Sequence, residues 1–66
     1  MTKAIYEPTG QECYVNLDFV VDIFPHDNGY IAYTFDNERG GYIISKEDFE
    51  RDMRGTENER RIRVSI

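Results

Sequence analysis

The chain has 66 residues with 13 acids, 8 Lys or Arg and a formal charge of −5. One domain is the ceiling at this length, and a core this small supplies only about 3–5 kcal/mol, so such chains lean on disulfides, metals or partners. Cys13 is the single cysteine and His26 the single histidine, which excludes an internal disulfide and argues against a bound metal or other cofactor. What remains is oligomerisation or a partner. No long apolar run marks a signal peptide or a membrane span, and with one thiol the expected compartment is the cytoplasm. Ten of the acids lie in residues 1–50 and five arginines in residues 51–66, so the body of the chain is more acidic than the total suggests. An acidic body speaks against nucleic acid as the main partner, because phosphate neutralisation needs a basic face.

Taken in chain order, Ile5 and Tyr6 allow a short strand before the Pro8-Thr9-Gly10 turn. From Cys13 to Phe24 apolar residues fill every odd position (Cys13, Val15, Leu17, Phe19, Val21, Ile23), the period of a half-buried strand. Twelve residues are long for one strand, and Asn16 is the natural place for a break. Pro25 to Gly29 then reads as a five-residue loop in which Gly29 supplies a positive φ. The return strand Tyr30 to Phe35 would set Ile31 against Ile23, Tyr33 against Val21 and Phe35 against Phe19 on the core face. The opposite face would carry Tyr14, Val20, Phe24 and Tyr30, an exposed apolar cluster suited to a homodimer or another partner.

After a loop at 36–41, Tyr42 to Ile44 is a short strand. Ser45 caps a helix over about 46–54, with Asp48 three residues on, as in a capping box, and with Ile44 and Phe49 at hydrophobic-staple positions. Glu47 and Asp48 favour the positive helix N-terminus. Phe49 and Met53 form an i,i+4 stripe that periodicity assigns to the core. Arg61 to Ile66 reads as a final strand. The fold class is therefore α+β: a small antiparallel sheet in the order β-β-β-β-α-β with one short helix, or alternatively an SH3-like small barrel.

No catalytic constellation emerges, and the chain reads as a non-enzyme. Cys13 lacks a neighbouring base and belongs to an apolar face; His26 falls in a turn; Arg39-Gly40-Gly41 lacks the Lys-Ser/Thr of a phosphate loop. Tyr30, Tyr33 and the C-terminal arginines leave open a small barrel that binds single-stranded RNA, although here the aromatics alternate with acids.

The order Asp27-Asn28-Gly29, a Tyr-rich return strand, Ser45-x-x-Asp48-Phe49-Glu50, Gly55, and a terminal Ile62-Arg63-Val64-Ser65-Ile66 resembles the small uracil-DNA glycosylase inhibitors encoded by Bacillus phages of the phi29 group. The resemblance covers roughly residues 19–66. It implies an acidic homodimer in the host cytoplasm that mimics DNA and occupies the DNA-binding surface of the glycosylase. By position, Phe49 would line a pocket for the enzyme's apolar wedge and Glu50 would stand in for a phosphate. Glu47, Asp48 and Tyr42 would lie around that site, and Met53 would replace an aromatic of the family. The loop at 36–41 is longer than in the family, and residues 1–11 have no counterpart. An acidic module of the same style aimed at a different host protein is the alternative.

Overall fold

The computed structural model describes residues 1–35 and 40–54. Five strands precede one helix: β1 (Thr2–Tyr6), β2 (Gln11–Val15), β3 (Val20–His26), β4 (Gly29–Thr34), β5 (Tyr42–Ser45) and α1 (Lys46–Met53), with a 3-10 turn at Leu17–Phe19. The sheet is antiparallel throughout, in the order β2-β1-β5-β4-β3. It is open rather than a closed barrel, with β2 and β3 at its edges among the described residues. The fold class is thus α+β, as the sequence pattern implies. The expected strand at Arg61–Ile66 lies outside the described residues, as does Gly55.

The long alternating segment breaks where expected. The Asn16 side chain accepts a hydrogen bond from the Asp18 N–H at 2.9 Å and caps the 3-10 turn, so one expected strand becomes β2 and β3. The break also changes which residues face inward. Val15 and Leu17 are buried, but Phe19 and Val21 are half exposed, and Val20 is buried instead. The three-residue turn switches the parity of the alternation, and a β-bulge at Val21, between Val20 and Asp22, switches it back so that Ile23 is inside.

The β3–β4 hairpin closes more tightly than a five-residue loop. Pro25 stays within β3, opposite Tyr30, and His26 pairs with Gly29 around the two-residue turn Asp27-Asn28. A proline is tolerated there because β3 is an edge strand. Asp27, not Gly29, supplies the positive φ, at 50°. Between Asp22 and His26 the register therefore differs by one from the expected pairing, with Ile23 facing Ala32 and Phe24 facing Ile31, while beyond the bulge Val20 faces Thr34 as expected.

On one face Ala4, Val15, Leu17, Val20, Ile23, Ala32 and Ile44 form the core with Phe49 and Met53 of α1. Cys13 is half-buried against this cluster. The helix begins and ends close to where its signals place it. Ser45 Oγ accepts from the Asp48 N–H at 3.1 Å, and Ile44 and Phe49 are both buried at the staple positions.

Candidate functional site

The residues expected to meet a partner fall into three environments. Phe49 and Met53 are in the core, 5% and 8% exposed, as helical periodicity alone indicates. Phe49 packs against Tyr30 with ring centroids 4.6 Å apart, so Tyr30 is half-buried over the helix rather than on an open face. Val20 is likewise a core residue, 2% exposed. The bulge and the shortened turn account for both corrections, because each changes which side of the sheet a β3 or β4 residue occupies. Tyr14 and Phe24 do lie exposed, at 65% and 42%.

Tyr42 is half-buried with its ring 5.3 Å from that of Tyr6, and it sits opposite Tyr6 across the β1–β5 pair. It is a strand-pairing contact on the core face. Glu47 and Glu50 are exposed on α1. Asp48 is only partly exposed and binds Arg51 at 3.0 Å, so its carboxylate serves the helix itself.

Arg51 holds Asp52, the residue that ties the last turn of α1 to β1. Its guanidinium donates to both carboxylate oxygens of Asp52, at 2.9 and 3.2 Å. Asp52 in turn accepts from the hydroxyl of buried Thr2 on β1. The Arg51 hydrogen bond is the main cause holding the Asp52 carboxyl below its usual range, with smaller contributions from Thr2 and the nearby N-terminal ammonium. The same contact raises the already high pKa of Arg51 further. A carboxylate with a depressed folded-state pKa stabilises the fold above its unfolded value of about 3.9, and that stabilisation is lost as pH falls through the folded value. Asp52→Asn is therefore expected to melt at a lower temperature than the parent at pH 7. Thermal melts followed by circular dichroism should show the two curves converging below about pH 4.

Two shallow depressions flank the hairpin tip. One, of about 520 Å³, lies between Pro25, Asp27, Tyr30 and the start of α1 at Lys46. The other, of about 390 Å³, is bordered by Lys3, Ile5, His26, Ile43 and Ser45. His26 is half-buried at the end of β3, 3.6 Å from Asp27, rather than inside a loop. Among the described residues no three His, Cys, Asp or Glu side chains gather as metal ligands, and no described helix is long and apolar enough to cross a membrane.

Comparison of the chain with family models, curated proteins and solved structures finds no match. The described residues carry nine acids against four Lys or Arg, and two of those four, Lys3 and Arg51, are engaged with Glu12, Asp48 and Asp52. Asp18, Asp22, Asp27, Glu47 and Glu50 are all exposed. The hairpin-tip groove has a half-buried Tyr30 and a proline in its lining and an aspartate at its rim.

Proposed function

We propose that this chain is a non-enzymatic acidic inhibitor that binds the DNA-binding surface of a host uracil-DNA glycosylase, its carboxylates taking the place of phosphates. The observation that carries the reading is a hairpin-tip groove beside exposed acids: Pro25, Tyr30 and Asp27 line it with Lys46 at the start of α1, and Glu47 and Glu50 are exposed farther along the same helix. Enzymes that extract a base from DNA combine a basic groove with apolar residues that act on the stack, and a competitor offers the complement. The likeness of Ser45-x-x-Asp48-Phe49-Glu50 to the phage glycosylase inhibitors names the target. Phe49 serves this surface from below. It supports Tyr30, and Tyr30 rather than Phe49 is the ring available to meet an apolar wedge.

The decisive assay is uracil excision from single-stranded uracil-containing DNA by a bacterial glycosylase with increasing inhibitor. Stoichiometric loss of activity is expected. The doubly charge-reversed variant Glu47→Arg, Glu50→Arg should bind at least roughly tenfold more weakly while remaining folded, because both side chains are exposed and act through charge. Full glycosylase activity at large excess of the parent chain would reject the target. Equal inhibition by the parent and the charge-reversed variant would reject the surface.

A further inference from the structure

The β3–β4 hairpin turns aromatic rings outward on the side of the sheet away from α1. Ile23 and Ala32 are paired and buried in the core, so alternation sends their neighbours Asp22, Phe24, Ile31 and Tyr33 to the opposite face. Asp22 pairs directly with Tyr33, and Phe24, two residues along β3, sets its ring edge-on to that of Tyr33 with centroids 6.1 Å apart. Beyond Tyr33, Phe35 meets Phe19 in a second edge-on pair at 5.8 Å, and the Phe35 N–H donates to the Phe19 carbonyl at 3.3 Å. Phe19, Val21, Phe24 and Phe35 are four of the seven large hydrophobic residues that stand exposed among the described residues. Single exposed apolar residues are ordinary, whereas four beside one hairpin make a patch. In an edge-on pair only one ring face is covered by the partner ring.

The charge around these rings is of one sign. Asp22 stands opposite Tyr33, Asp18 directly precedes Phe19, and both are exposed. Among the described residues neither carboxylate has an ion-pair partner. The described residues from 4 to 45 hold five acids and no Lys or Arg. Lys3, on β1, is separated from β3 by β5 and β4 and holds Glu12 at 3.8 Å. His26 follows Phe24 on the same face and adds no formal charge at pH 7, and the segment 36–39 brings two acids with its one arginine. Open ring faces beside unpaired carboxylates define the ligand. A guanidinium stacks flat on an aromatic face and gives a forked pair of hydrogen bonds to a carboxylate, whereas an ammonium is a compact, strongly hydrated point charge. Nucleic acid is disfavoured here, because its phosphates would meet the carboxylates.

We propose that the outer face of the β3–β4 hairpin captures an arginine-bearing basic segment of a partner protein, a guanidinium lying on the Phe24–Tyr33 pair against the Asp22 carboxylate and the Phe19–Phe35 pair extending the contact. This surface lies on the other side of the sheet from Tyr30 and α1, and it does not depend on the glycosylase reading. A target held on the helix side leaves it open, so one chain can hold two basic proteins at once.

A nuclear magnetic resonance titration of the isotope-labelled full chain tests the proposal. The probe is a decapeptide of alternating arginine and glycine, with the lysine–glycine decapeptide as a control of equal charge. The arginine peptide should shift the amide resonances of Asp22, Phe24 and Tyr33 and leave those of Glu47 and Glu50 in place. It should bind about two- to fivefold more tightly than the lysine peptide at physiological salt. Asp22→Asn should weaken both peptides, by up to about fivefold. Phe24→Thr should bring the arginine peptide down to the level of the lysine peptide, and circular dichroism verifies that each variant is folded. Equal binding of the two peptides by the parent chain overturns the stacking site and leaves only attraction between opposite charges. Shifts confined to α1 or the hairpin tip, or arginine binding indifferent to Phe24→Thr, overturn the face. No shift with millimolar peptide overturns the proposal. So do tighter binding of a single-stranded oligouridylate at the same resonances, which hands the rings to nucleic acid, and shifts of those resonances on dilution of the chain alone, which hand them to a second copy.

Discussion

Phe49→Ala is expected to unfold the domain rather than merely to remove a binding contact. Phe49 is 5% exposed, lies on Tyr30 and fills the staple position against Ile44, which is fully buried. Truncating a buried phenylalanine costs about 3–5 kcal/mol, and a core of this size supplies roughly the same amount in total. Urea titration with far-ultraviolet circular dichroism should find no folding transition for the variant at room temperature, or a midpoint close to zero denaturant. Phe49→Leu keeps most of the volume and should retain a cooperative transition at reduced midpoint. A Phe49→Ala chain with parental stability would show that this ring is not part of the core. Loss of activity in Phe49→Ala would follow from unfolding alone, so the exposed pair Glu47 and Glu50 carries the functional test.

What the sequence disclosed and what it concealed divide along local and non-local lines. The break at Asn16, the cap at Ser45 and the burial of Phe49 and Met53 were all legible, because each depends on residues within one or two turns. The exposure of Glu47, Glu50, Tyr14 and Phe24 was legible for the same reason. The register of β3 on β4 was not. Pro25 resembles a loop residue until β3 is known to be an edge strand, and the sequence does not say which strand is an edge. Once the turn shrinks to Asp27-Asn28, the return strand pairs one residue out of the expected register as far as the bulge, beyond which Val20 meets Thr34 as expected. The 3-10 turn and the bulge add two further parity changes within five residues, which is why Val20 reads as surface and lies in the core. The pairing of Ile5 with Ile43 had even less local signal. It exists because β1 pairs with β5, some forty residues later in the chain, and nothing near Ile5 announces Ile43 as its neighbour.

Gly29→Ala is expected to destabilise the fold more than Gly10→Ala, although Gly10 is the glycine in the left-handed conformation. At Gly10 φ is 76° and a Cβ would meet nothing within 4 Å, so the variant suffers only the backbone preference, about 1 kcal/mol. At Gly29 the backbone is extended and alanine would even gain a little by restricting the unfolded chain. The obstacle is contact. A Cβ there would lie 2.3 Å from the Ile44 carbonyl oxygen and 3.1 Å from both Ser45 Cα and Lys46 N, all of them backbone atoms at the junction of β5 with α1. No side chain can turn aside to relieve it, so β4 must move away from β5 at the Gly29–Ser45 pair, the point where Ser45 also caps the helix. Overpacking of this kind costs about 1–3 kcal/mol, and the loosened cap and the Tyr30–Phe49 contact one residue away add to it. Thermal melts of the two variants give the order directly, and amide hydrogen exchange at Tyr30, Ile44 and Asp48 should report faster opening in Gly29→Ala alone. A Gly29→Ala chain as stable as Gly10→Ala would mean that β4 and β5 can separate at this pair without cost, and that the hairpin and the helix start are not locked together through Gly29.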